Sequence, residues 1–254
     1  EDVIDNLDVF TKKYGYWVNE IKKIQKKNPV TTINTDFVKR LNIENILGVI
    51  IPNSVTSIGD EAFYTCGSLV EVVIPNSVIS IGVSAFSGCS SLQEVVIPDS
   101  VTSIGDKAFY GCTSLIEVVI PNSVTSISDK TFMECSSLQE VSIPNSVTSI
   151  GEGAFQDCIK LQVKIPTSVI SIGGGAFHGC GSLVAASIPD SVTSIGEGAF
   201  SHCNSLIYVS IPDLVTSISD RTFSHCGALT YMLIPESVTS IGDKAFYRCS
   251  SLLK

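Results

Sequence analysis

The sequence predicts a repeat solenoid, one stack of short coils in place of a globule with a single centre, and three observations carry that prediction. Pro52, Pro75, Pro98, Pro121, Pro144, Pro166, Pro189, Pro212 and Pro235 recur every 23 residues, with a single step of 22. Cys66, Cys89, Cys112, Cys135, Cys158, Cys180, Cys203, Cys226 and Cys249 keep the same beat, and their one short step lies between Cys158 and Cys180. Aligned on these markers, the unit reads L-x-x-V-x-I-P-x-S-V-T-S-I-G-x-x-A-F-x-x-C-x-S.

Each part of the unit has a physical reason. Leu92, Val95, Ile97, Val101, Ile104, Ala108, Phe109 and Cys112 are spread too evenly for an isolated segment to bury them, so adjacent coils must cover one another. With strands about 4.8 Å apart, nine coils make a stack roughly 40 Å long. Pro ends each strand because it has no N–H for a ladder. The Ser and Thr that follow are placed to bond backbone groups of the same turn or to stack as a polar ladder. Gly59, Gly82, Gly105, Gly151, Gly173, Gly196 and Gly242 suggest a tight turn, while Ser128 and Ser219 at the same position argue against a strictly left-handed backbone there. The short unit lacks a residue between Leu161 and Ile165, where L-Q-V-K-I stands against the L-Q-E-V-S-I of residues 138–143.

Residues 1–45 do not keep the beat, and the solenoid is expected over 46–254. Tyr14, Trp17, Val18, Ile21 and Ile24 recur at helical spacing, with Lys22, Lys23, Lys26 and Lys27 opposite and Pro29 beyond. This reads as an amphipathic helix that caps a degenerate first coil; the other reading is a basic helix that meets a membrane surface or a partner. At the far end Leu252, Leu253 and Lys254 stop partway through a coil. Further chain or a partner, another copy included, is expected to cover that edge, which makes end-to-end self-association one expected mode.

Composition narrows the function classes. The chain has 254 residues, 44% hydrophobic and 16% charged, the balance of a folded chain and not of a disordered one. No run approaches the roughly 18 to 20 apolar residues of a membrane-spanning helix. No basic-then-apolar leader opens the sequence, and the compartment stays open. Residues 1–50 hold 8 basic and 7 acidic side chains, which leaves 8 basic and 18 acidic in the repeats, a net charge of −10. Such a surface repels phosphate backbones, so no nucleic-acid partner is expected and cationic partners fit better.

The register of Pro, Gly, Ala-Phe and Cys over residues 46–254 resembles the BspA-like, or treponemal-class, leucine-rich repeats, whose units read L-x-x-L-x-L-P-x-x-L-x-x-I-G-x-x-A-F-x-x-C. The resemblance implies a right-handed coil with a parallel β-sheet on its concave face and short extended or helical turns on the convex side. It also implies a surface or secreted protein that attaches to host proteins, matrix proteins or other cells.

Sites for chemistry are scarce. An odd number of cysteines, the absence of any C-x-x-C pair and the fixed spacing argue for one inward, reduced thiol per coil, though neighbouring thiols about 5 Å apart lie within disulfide reach. His202 and His225 precede Cys203 and Cys226 at the same repeat position and are expected side by side and outward, with no shared metal site; His178 is the third imidazole. No nucleophile, base and orienting acid stand apart from the repeat, no phosphate-cradling loop is present, and no cofactor is expected. The partner-binding candidates are on the strand face expected to be concave. One variable position there reads Glu71, Glu94, Glu117 and Glu140, then Gln162, Ala185, Tyr208 and Tyr231. Stacked like charges repel by a few tenths to about 1 kcal/mol per opposed pair, so the four Glu read either as a ligand surface or as a solvated face that keeps the solenoid apart from its neighbours. Adjacent Tyr208 and Tyr231 make an aromatic contact patch. The expected function is therefore a non-enzymatic protein-binding module, with an intracellular scaffold joined through its ends as the alternative.

Overall fold

The computed structural model describes residues 30–40 and 47–252. The amphipathic pattern from Tyr14 to Ile24, and with it the expected helical cap, lies outside the described residues. Among those described, the only helix is the six-residue Thr35–Arg40, which Asn34 opens by accepting the Phe37 N–H on its side chain at 2.9 Å. Just before it, Thr32–Ile33 pairs in parallel with Ser57–Ile58, so coiling begins before the first Pro of the repeat.

Every repeat contributes two short strands to the stack, and the strands pair only with their counterparts one repeat away. In the first sheet Gly48–Ile50, Glu71–Val73, Glu94–Val96, Glu117–Val119, Glu140–Ser142 and Gln162–Val163 lie side by side, all parallel. Ala185–Ser187, Tyr208–Ser210 and Tyr231–Leu233 continue the same course as a separate three-stranded sheet. The second set uses the Ser-Ile pair of each unit, from Ser57–Ile58 to Ser240–Ile241. Between the second set and the next Cys the chain makes turns, not helix. Alternate N–H groups there reach the following coil, as in Phe63 to the Ala85 carbonyl at 2.7 Å, while the others close local turns, as in Cys66 to the Phe63 carbonyl at 3.1 Å.

The interior is a set of side-chain ladders. Phe63, Phe86, Phe109, Phe132, Phe155, Phe177, Phe200, Phe223 and Phe246 stack with neighbouring ring centroids from 5.1 to 5.8 Å apart. Beside them run the inward Leu, Val and Ile that the unit places two apart on each strand. Polar members of the unit are satisfied across coils, not within the same turn. Ser77, Ser100, Ser146, Ser168 and Ser191 donate to the Val carbonyl of the preceding coil at 2.6 to 2.7 Å. The cysteines are free, and from Cys89 onward each thiol donates to the preceding coil's Phe carbonyl, for example Cys112 to Phe86 at 3.3 Å.

The repeated Gly has a cause different from the expected tight turn. A Cβ at Gly82, Gly105, Gly151, Gly173, Gly196 or Gly242 would lie within 2.8 Å of backbone atoms of the coil before, and none of these glycines is left-handed. Their N–H groups bond the preceding Ile carbonyl, as Gly105 does to Ile81 at 2.9 Å. Where Ser stands instead, the ladder breaks: the second sheet is interrupted before Ser126–Ile127 and before Ser217–Ile218. In those two coils the Oγ of Ser128 and Ser219 takes the Ile104 and Ile195 carbonyls at 2.6 and 2.7 Å. Left-handed backbone occurs two residues beyond the Gly and just before the Cys, at positions filled by Glu61, Lys107 and Arg221 in some coils and by Gly175 and Gly198 in others.

Candidate functional site

On the first sheet the strand alternation turns one side chain inward and its neighbours outward, so each variable position becomes a row across coils. Glu71 pairs with Glu94, Glu94 with Glu117, and Glu117 with Glu140; Glu71 is half-buried and the other three are exposed. Val96, Val119 and Ile116 stand exposed around them. The acid row is thus set into an apolar surface.

Glu140 pairs with Gln162, which fixes the missing residue just before Gln162. The first sheet ends there. Gln162 spans the gap by donating its side-chain amide to the Ser182 carbonyl. The short coil leaves a groove of about 890 Å3 bounded by Glu140, Ser142, Asn145, Gln162, Lys164 and Thr167, with Ile143 only half-buried beneath. The 22-residue step was the sequence signal for this groove, but the step alone does not say which strand is shortened.

Beyond the gap lie the tyrosines. Tyr208 and Tyr231 pair in register and stack with centroids 5.7 Å apart and planes 7° apart. They are 41% and 58% exposed, and Val184, Ile207 and Leu233 are exposed beside them. The single row read from the sequence is therefore two surfaces: an acidic one before the break and an aromatic, apolar one after it. Leu233 falls in the outward row that the strand alternation predicts, whereas Val184 and Ile207 escaped the sequence reading because each resembles a core residue until the register shows which way it points.

His202 and His225 do lie side by side, with ring centroids 4.2 Å apart, and His178 joins them at 5.1 Å from His202 although it occupies a different repeat position. Among the described residues no group of three or more His, Cys, Asp or Glu is arranged to hold a metal ion. These thiols are poor nucleophiles, because burial pushes Cys135 and Cys226 up to about 12 and raises Cys89, Cys112, Cys158, Cys180, Cys203 and Cys249 as well.

The sequence profile of the BspA type leucine rich repeat region matches residues 6–66, 31–162 and 125–253. No curated protein matches the chain. A solved leucine-rich repeat protein from Bacteroides ovatus is 27% identical, with 88% of this chain and 81% of that one covered and a TM-score of 0.52. The T. pallidum leucine rich repeat protein is 30% identical over 82% of this chain and 78% of its own, at a TM-score of 0.40. The pneumococcal vaccine antigen PcpA is similar in fold, at 22% identity over 78% of this chain and 63% of its own and a TM-score of 0.52. With its repeat matched across nearly its whole length, this chain belongs to the BspA type leucine-rich repeat family.

Proposed function

We propose that the chain is a protein-binding module that docks its partner on the outer face of the three-stranded sheet beyond the gap, at the surface formed by Tyr208, Tyr231, Val184, Ile207 and Leu233. The observation that carries this reading is the stacked, exposed tyrosine pair within a run of exposed apolar side chains. Tyr loses little rotamer freedom on binding and offers both area and a hydroxyl, and contiguous exposed apolar surface on a soluble face marks contact sites. The strands hold these side chains in a fixed register, so little ordering is left for the partner to impose. Family resemblance adds the finer reading of display at a cell surface or secretion, with matrix or host proteins as partners.

The test is capture of purified matrix proteins by immobilised chain, wild type against the Tyr208→Ala, Tyr231→Ala double variant. Loss of capture with an unchanged melting temperature supports the reading; retained capture removes the tyrosines from it. Protease shaving of intact producing cells tests display, which requires loss of the chain while a cytosolic control survives.

A further inference from the structure

A second groove, of about 630 Å3, lies away from the first sheet, on the turns that precede the cysteines. It is lined by three imidazoles, His178, His202 and His225, with Tyr247 edge-on to His225 at 5.3 Å between ring centroids. The space exists because Gly174, Gly175 and Gly198 put no side chain into it. Packing does not demand those glycines. A Cβ at any of the three would meet nothing nearer than 3.4 Å, and the left-handed position of Gly175 and Gly198 carries Lys107, Lys130, Arg221 or Lys244 in other coils. The chain leaves this stretch open where side chains would fit.

The charges around the opening are close to balanced when the imidazoles are neutral. Glu197 holds Arg221 at 2.6 Å and Glu152 holds Lys130 at 3.3 Å. Asp157 acts on His178, and Arg248 acts on His225. Lys244 lines the groove with no ion-pair partner among the described residues. Ser224 Oγ lies 2.8 Å from His225 Nδ1, and the other ring nitrogen has no hydrogen-bond partner among the described residues. Protonation of the imidazoles adds positive charge along a line of rings 5.1 and 4.2 Å apart. Adjacent imidazolium rings at such distances repel, and an anion laid along them removes that repulsion.

We propose that this groove is an acid-gated anion site, which binds a short chain of closely spaced oxyanions, phosphate or sulfate, when its imidazoles are protonated and releases it when they are neutral. By linkage the anion must raise the proton affinity of the same imidazoles. The site is separate from the tyrosine surface and stands or falls without it.

The experiment is calorimetric titration with two probes, sucrose octasulfate and inorganic tripolyphosphate, at about pH 5 and about pH 7.5, on either side of the ordinary histidine range. The sulfate probe keeps its charge across that interval, so any pH dependence with it belongs to the protein. Binding at least about tenfold tighter at the lower pH is expected. The His178→Gln, His202→Gln, His225→Gln variant should lose that dependence, and Lys244→Gln should weaken acid binding while leaving its pH midpoint in place. Preference for one probe assigns the source as sulfate or phosphate. Absence of binding by both at the lower pH, equal affinity at the two pH values, or an unaffected triple variant overturns the proposal. Should the triple variant fail to melt cooperatively, the wild-type histidine ring resonances decide: their titration midpoints must move upward with the anion, and unmoved midpoints overturn it.

Discussion

Replacing Gly105 by Ala and Gly111 by Asn in one coil inverts the usual expectation for glycine. Gly111 has a φ of +68, the conformation for which glycine is normally indispensable, yet Thr65, Glu134, Asp157, His202, His225 and Arg248 adopt it at the same position in other coils. A Cβ there would meet only Gly88 backbone at 3.9 Å. Gly105 is not left-handed, but its Cβ would fall 2.6 Å from the Val83 nitrogen and 2.7 Å from the Gly82 carbonyl carbon. Both are backbone atoms of the preceding coil and cannot rotate away. Relief requires the two coils to part by most of an ångström, against the Gly105 to Ile81 hydrogen bond. Overpacking of this kind costs about 1–3 kcal/mol, whereas Gly111→Asn should cost under about 1 kcal/mol. At about 2–4 °C per kcal/mol for a chain of this size, thermal melting separates the two variants. Gly111→Asn proving as costly as Gly105→Ala would refute the argument that coil-to-coil approach, not backbone handedness, selects the repeated glycine.

Four further outcomes follow from the same geometry. Ser100→Ala should cost about 0.5–1.5 kcal/mol by removing the bond to the Val78 carbonyl, and Leu214→Ser should recover a similar amount, because Leu214 stands where the other coils carry this Ser and is 56% exposed; urea denaturation reads both. Phe132→Ala should cost about 3–5 kcal/mol, since the ring is fully buried between Phe109 and Phe155. Alkylation of the native chain followed by mass spectrometry should mark Cys249 well before the other thiols, as Cys249 is only half-buried, and reductant should leave the melting temperature unchanged because the cysteines are free. Burial holds His178 below the ordinary histidine value, with Asp157 pulling the other way and His202 adding to the depression; burial, then the charges of His202 and Arg248, does the same to His225. The unfolded chain therefore takes up these protons first as pH falls, so their contribution is complete above the ordinary histidine value and is lost as pH drops through and below it. Melting temperature should decline over that window, and His178→Gln should flatten part of the slope.

Much of this architecture was legible in the sequence because a parallel solenoid translates sequence period directly into contact. Val95 meets Val118 and Phe86 meets Phe109 simply because each pair is 23 residues apart. What the sequence concealed depends on distances between coils. The reason for Gly105 is the Val83 backbone, a neighbour that no local pattern reveals, although Ser128 and Ser219 were its visible exceptions. The break between Gln162 and Ala185 was announced by the 22-residue step, but only the pairing of Glu140 with Gln162 shows that a groove opens there and divides the acid row from the tyrosines. Val30 to Ile33 reads V-T-T-I against the V-T-S-I of the unit, but without a Pro or Cys at the repeat spacing it did not stand out, and its pairing with Ser57–Ile58 came from the structure. His178 sits one position away from His202 and His225 in the repeat, and only the turn geometry brings the three rings together.

The docking claim is tested most directly by photocrosslinking on producing cells. Tyr208 on the three-stranded sheet and, separately, the exposed Thr102 beside the second set of strands would each be replaced by the photoreactive p-benzoylphenylalanine, with adducts resolved after irradiation. Adducts from position 208 and none from position 102 are predicted; equal adducts from both, or adducts from position 102 alone, would contradict docking on the tyrosine face.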